Sequence, residues 1–325
     1  GGTYAVAGAT ECTGCLKGMY AAATGLSTCT NCQAGQYGAT TGLDTSSCTA
    51  FCTKGTYSTA GLSQCINCVA GQYGQITGLS QATCTAYCSK GTYSTAGLSQ
   101  CINCAAGQIG ATTGLATSAC SSNCQKGQYS TAGLSACISC IAGRYGATTG
   151  LPTAACSGNC ARGQYSDQGL SACISCIAGQ YGAVTGLSTS ACTAPCAKGQ
   201  YSTVGISACI NCAAGQYGAT TGLSQAGCTG DCALGYYSDQ GLSACIQCVP
   251  GRYGGVTGLS EAACSGNCAK GKYSTIALSE CIACQAGRYG ETTGLPTAAC
   301  SGNCARGHYS DQGMSACIPC VAGRH

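Results

Sequence analysis

Cysteine returns along this chain at a constant interval, and that interval limits the fold more than any other feature. Cys12, Cys48, Cys84, Cys120, Cys156, Cys192, Cys228, Cys264 and Cys300 are each 36 residues apart. The same step separates Cys52, Cys88, Cys124, Cys160, Cys196, Cys232, Cys268 and Cys304. It also separates Cys29, Cys65, Cys101, Cys137, Cys173, Cys209, Cys245, Cys281 and Cys317. The fourth series is Cys32, Cys68, Cys104, Cys140, Cys176, Cys212, Cys248, Cys284 and Cys320. Only Cys15 is irregular, following Cys12 by three residues where later copies have four. A fixed period of this length is the mark of a repeat architecture, in which each unit buries surface only against its neighbours.

Each period holds two loops. The shorter reads C-x-K/R-G-x-Y-S-x-x-G-L-S-x-C, as from Cys160 to Cys173, and the longer C-x-A-G-x-Y-G-x-x-T-G-L-x-x-x-x-C, as from Cys176 to Cys192. Spacers of two and three residues join them. Residues 151–163 and 295–307 are the same peptide, LPTAACSGNCARG, the trace of duplication.

Glycine excludes helix. There are 52 glycines, recurring every few residues, and each costs about 1 kcal/mol in a helix interior. The segments G-x-Y-S and G-x-Y-G read as extended pieces of two or three residues. T-G-L and A-G-L read as turns whose Gly takes positive φ. One Tyr and one Leu or Ile per loop make too small a core for independent stability, so the cysteines must supply the rest. Closing a loop of about 15 residues contributes roughly 3 kcal/mol in the chain-entropy model. The expected fold is small, disulfide-rich, built of short β and turns with little or no helix. It is expected as a linear array of about nine 36-residue repeats forming an extended rod or superhelix, because equal repeats apply equal rotation and rise. Residues 1–12 are read as an end segment completing a neighbouring loop, 13–320 as the tandem repeats, and 321–325 as the start of an incomplete loop.

The composition sets the compartment. Cysteine supplies 36 of 325 residues, the level of a disulfide scaffold made outside the reducing cytosol. Charged residues are 7% and the net charge is +4, with Lys and Arg spaced along the chain, so no basic stripe for nucleic acid exists. No apolar run approaches the roughly 20 residues of a membrane-spanning helix, which argues against direct membrane insertion. The chain begins at Gly1 with no leader in view, and is read as trimmed material that is extracellular, secreted or at the cell surface.

Cys-x-x-Gly-x-Tyr, the roughly twelve-residue spacing that follows, and Cys-x-x-Cys resemble the first submodule of tumour-necrosis-factor-receptor cysteine-rich domains. They are equally similar to ephrin-receptor-like cysteine-rich repeats. The resemblance covers essentially the whole chain. It implies that each loop is closed by its own two cysteines, Cys52 with Cys65, Cys68 with Cys84, and so on. Under that pairing Cys15 to Cys317 fill seventeen loops, and Cys12 and Cys320 remain for a bond between subunits. An interleaved pairing, Cys65 with Cys84 and Cys68 with Cys88, also satisfies four cysteines per repeat. The second, four-cysteine submodule of the receptors is missing here, so their ligand binding is not carried over.

The two ends can be read together. CVAGRH resembles the beginning of a long loop and GGTYAVAGATEC the end of one. In succession they match CVPGRYGGVTGLSEAAC, Cys248 to Cys264, with one residue too many. Either these residues are a window on a longer repeat chain, or the tail of one subunit is completed by the head of the next. Head-to-tail contact that does not close into a ring produces a filament.

Other chemistries are weaker readings. Four sulfurs per period fit Cys₄ zinc arithmetic, but no His or carboxylate stands at ligand spacing. A redox Cys-x-x-Cys needs a helix N-terminus, and none is expected. His308 takes the x of G-x-Y and His325 the place of a Tyr, neither with an acid in its loop. Asp167, Asp239 and Asp311 share one position in S-D-Q-G, the signature of a repeated turn residue. No enzyme activity and no cofactor are expected. Tyr57, Tyr93, Tyr129 and Tyr165 in short loops, and Tyr37, Tyr73, Tyr145 and Tyr181 in long ones with Ile109 as exception, are expected to cover their own disulfides. The alternative is an exposed ladder contacting fibres or sugars. No N-x-S/T sequon occurs, whereas Ser and Thr crowd the turns as candidate O-glycan acceptors.

After the irregular copy that begins at Cys15 the loops carry no insertion or deletion, although recognition modules vary their loops. The expected function is therefore a structural extracellular protein, a disulfide-stapled filament or stalk similar to flagellar-hair fibres, with itself as partner head-to-tail or laterally. The alternative is a receptor or adhesion ectodomain, or a protist surface-coat antigen.

Overall fold

The loops open with a turn that leads directly into a hairpin. The computed structural model describes residues 1–321, and among them every strand is two residues long and pairs antiparallel with one other strand. In the loop from Cys52, Gly55 takes φ +83° and the Thr56 amide donates to the Thr53 carbonyl at 3.1 Å, which turns the chain into the strand Thr56–Tyr57. Its partner is Ile66–Asn67, with Thr56 opposite Asn67 and Tyr57 opposite Ile66. The second strand thus occupies the two residues between a closing cysteine and the next opening one. The long loop from Cys68 repeats the plan, with Gln72–Tyr73 paired to Ala86–Tyr87.

Two residues per strand give too little ladder to stand alone, and disulfides close the loops. The pairing is consecutive: Cys52 bonds Cys65, Cys68 bonds Cys84, and so on through Cys304 with Cys317. Loops closed over 13 residues alternate with loops closed over 16 from Cys32 onward, and Cys15 to Cys29 spans 14. The bridged Cα atoms lie 5.6 to 6.1 Å apart, the usual disulfide separation. The interleaved arrangement is not adopted.

The chain divides into two units, with the division inside the loop Cys160–Cys173. The first holds Gly1–Asn159 and Asp167–Ala172, the second Cys160–Ser166 and the residues from Cys173 onward. In the first unit, the Cys68 amide donates to the Gly55 carbonyl at 2.8 Å, and the Cys68 carbonyl accepts the Gly97 amide at 2.9 Å. One opening cysteine is therefore bonded to the loop before it and to the loop after it. In the second unit Cys212 does the same with Gly199 and Gly241, at 2.8 and 2.9 Å.

The interior of both units is made of these cysteines. Cys15, Cys32, Cys52, Cys68 and Cys88 in the first unit, and Cys196, Cys212, Cys232 and Cys248 in the second, are wholly buried. The leucines add little, with Leu79, Leu151 and Leu295 the most enclosed. Tyr57 and Leu79 join through a single parallel bridge between their loops, a contact repeated at Tyr93 with Leu115 and at Tyr201 with Leu223.

Candidate functional site

The most distinctive arrangement, repeated along both units, is the seam where one loop meets the next two. Positive φ at Gly55 bends the chain so that its α-carbon faces the turn of the loop one period on. A Cβ on Gly55 would overlap the Gly97 carbonyl oxygen. Gly91 stands in the same relation to Gly133, Gly199 to Gly241 and Gly215 to Gly258. No side chain fits there, which explains why this position is Gly in short and long loops alike.

Serine supplies the polar half of the seam. Ser58 is fully buried, its hydroxyl donates to the Gln36 carbonyl at 2.7 Å, and its Oγ accepts the Gly35 amide at 3.0 Å. Its own amide donates to the Leu79 carbonyl at 3.0 Å. One residue so joins the loops on either side of it. Ser94, Ser130, Ser202, Ser238 and Ser274 repeat the burial and the hydroxyl bond. These serines were not singled out by sequence reasoning. The available signal was that Tyr-Ser continues into every short loop after Cys52, while the next residue varies among Thr and Asp.

Thirty-four cysteines are in disulfides, so the sulfurs that a Cys₄ zinc site would need are bonded to one another. Among the described residues no group of three His, Cys, Asp or Glu side chains is placed to hold a metal ion. Among the same residues no helix is long and apolar enough to cross a membrane. Disulfides in this number are the chemistry of an oxidising compartment.

Cys12 and Cys320 are free and exposed. Cys320 occupies the place of an opening cysteine, its amide donating to the Gly307 carbonyl at 2.8 Å. At the other end, Gly2 takes φ +79° and leads into Thr3–Tyr4, which pairs with Thr13–Gly14. Gly2 precedes Cys12 by ten residues, as Gly55 precedes Cys65 in a short loop. Its contacts are nevertheless those of a long loop: a Cβ on Gly2 would overlap the Gly42 carbonyl as one on Gly35 would overlap that of Gly78, and its amide donates to the Ala21 carbonyl at 2.8 Å as that of Gly35 donates to Ser58 at 2.9 Å. The expectation for 321–325 rests on residues 322–325, including His325, which lie outside the described residues.

The other candidates are scattered. His308 pairs with Pro319 in a hairpin and shares a groove with Tyr289, Glu291 and Asn303. Its Nδ1 lies 3.5 Å from the Arg306 carbonyl. Asp167, Asp239 and Asp311 are exposed at the position after a buried serine, in different loops. Tyr57, Tyr93, Tyr129 and Tyr165, Tyr37, Tyr73, Tyr145 and Tyr181, and Ile109 are half-buried, neither sealed inside nor presented as a free ladder, and Tyr309 is exposed. Ile66, Ile102, Ile138, Ile174, Ile210, Ile246 and Ile282 are exposed, each with a tyrosine opposite in its hairpin. No protein-family model matches the chain, and no curated protein matches it.

Proposed function

We propose that this chain is a structural extracellular protein that builds a disulfide-stapled filament or stalk. The observation that supports the reading is the seam: opening glycines such as Gly55 and Gly91 meet the turn 42 residues on, and long-loop ones such as Gly71 and Gly215 the turn 43 residues on, so one repeat is a template for the next. Gly287 and Gly307 have the same positive φ and meet no described atom within 4 Å. The carbonyls of the turns at Gly8 and Gly25 are met by no described opening glycine. A further stretch of the repeat, in the same chain or in a second copy, would complete both contacts, and Cys320 with Cys12 would make the second case covalent.

The fine resemblance to ephrin-receptor-like repeats belongs to this reading as a shared plan of disulfide loops, with secretion or a cell-surface location following from it. The test is electron microscopy of native material, joined to peptide mapping without reduction. Filaments, with either a Cys320–Cys12 peptide or a backbone peptide continuing into another loop, are the expected result. Monomeric protein in which both thiols are free overturns it and favours a receptor ectodomain or coat antigen.

A further inference from the structure

The turns of the long and short loops share one backbone. Gly61 and Gly78 have φ of +82° and +73°, and their amides donate to the Cys32 and Cys52 carbonyls at 2.9 and 2.8 Å. The leucines that follow, Leu62 and Leu79, accept the amides of Gly38 and Ser58, each at 3.0 Å. The residue before the glycine differs between the loop types. In short loops from Cys52 onward it varies, through Ala60, Ala96, Gln168, Val204 and Ile276. In all long loops it is threonine: Thr41, Thr77, Thr113, Thr149, Thr185, Thr221, Thr257 and Thr293.

Turn geometry does not select threonine, since Ala and Gln serve the same turn. Its β-branch does not either, since Val204 and Ile276 hold that place in short loops, whereas Val and Ile never hold it in long ones. The hydroxyl is what is retained. Yet all eight of these threonines are exposed, and among the described residues none of their hydroxyls has a hydrogen-bond partner. Other hydroxyls of the repeat have structural work: Ser58 bonds the Gln36 carbonyl, Thr56 the Thr53 carbonyl, and Thr85 accepts the Gln75 amide.

A second observation concerns the neighbouring residue. Ile76, Val184 and Val256 immediately precede Thr77, Thr185 and Thr257 and are more than half exposed. With 7% charged residues over the chain, little else hydrates these turns. We propose that the Thr-Gly-Leu threonines are O-glycosylation sites, one in each long loop. Threonine Oγ1 forms a bond to the anomeric carbon of a nucleotide-activated sugar. The bond from that carbon to the phosphate oxygen breaks, its electron pair leaves with the nucleotide, and the hydroxyl proton passes to the transferase. The site rests on the extracellular reading, but a fibre without sugar would still be a fibre.

Protein from its native source, digested and fragmented by electron transfer, locates the sugars. Monosaccharide-sized mass increments on Thr77 and its equivalents, with Thr56 and Ser58 bare, are expected. Bare threonines at all eight positions overturn the proposal, as do sugars placed on the short-loop turns instead. Microscopy of the same preparation reports separately on filament formation.

Discussion

The carbonyl of Ala277 fills the space where Gly235 would carry a Cβ, and Ala277 itself stands at φ +60°. In the other described loops whose turns meet an opening glycine, the turn residue is Gly. Left-handed backbone costs an L-residue about 1–2 kcal/mol, so this turn is the weakened copy. Ala277→Gly should stabilise it by about 1 kcal/mol. Hydrogen exchange at this amide, bonded to the Cys248 carbonyl at 3.0 Å, should slow about fivefold. Unchanged exchange would show that the strain is relieved elsewhere.

Gly91→Ala should have the opposite effect and a larger one. The new Cβ would overlap the Gly133 carbonyl oxygen, and alanine would have to hold φ +84°. A loss above about 2 kcal/mol is expected at this seam. Exchange at Gly133, bonded to Cys104 at 2.9 Å, should rise, while amides of the loop Cys15–Cys29 keep their protection, because repeats couple to their neighbours. Loss of protection in that distant loop too would mean a cooperative unit larger than the seam.

Ser130→Ala removes a hydroxyl that donates to the Gln108 carbonyl at 2.9 Å. Alanine fits sterically, since Ala21 fills the equivalent place and is fully buried. The cost should be about 1–2 kcal/mol, from the lost bond and the carbonyl left unpaired. Urea-dependent exchange measures it. A cost near zero would assign the seam to glycine and cysteine alone.

Replacing Cys88 and Cys101 together by serine opens one short loop. With the two cysteines separated by 13 positions, the closure contributes about 3 kcal/mol, more than the small apolar contacts of one loop supply. Limited proteolysis should cut between them, with neighbouring loops intact. Resistance to cutting would place the stability of the loop in its seam bonds.

Much of this was legible beforehand for a physical reason: cysteine and glycine act through spacing, and spacing survives in a sequence. The 36-residue period, the absence of helix and the G-x-Y extended pieces all follow from it. The partner strand was not legible, because Ile66–Asn67 is two residues flanked by cysteines and carries no periodicity. Nor was the left-handed backbone of the long-loop closing cysteines, such as Cys84 at φ +51° and Cys120 at φ +52°. Nothing in a cysteine announces positive φ. Ser58 was hidden differently: as a small polar residue beside a tyrosine it reads as surface, and only the loops on either side of it make it interior.

The disulfides also decide how far the chain can be pulled. A taut path enters each loop at one cysteine and leaves at its partner 5.6 or 5.9 Å away, bypassing the residues between. Only the spacers can straighten, at about 3.5 Å per residue, so one 36-residue period reaches about 36 Å under load where an unbridged chain would reach about 126 Å. Breaking every hydrogen bond of the seam therefore cannot lengthen a period beyond that limit. Under tension the chain becomes a string of small rings whose reach is set by covalent bonds and not by folding.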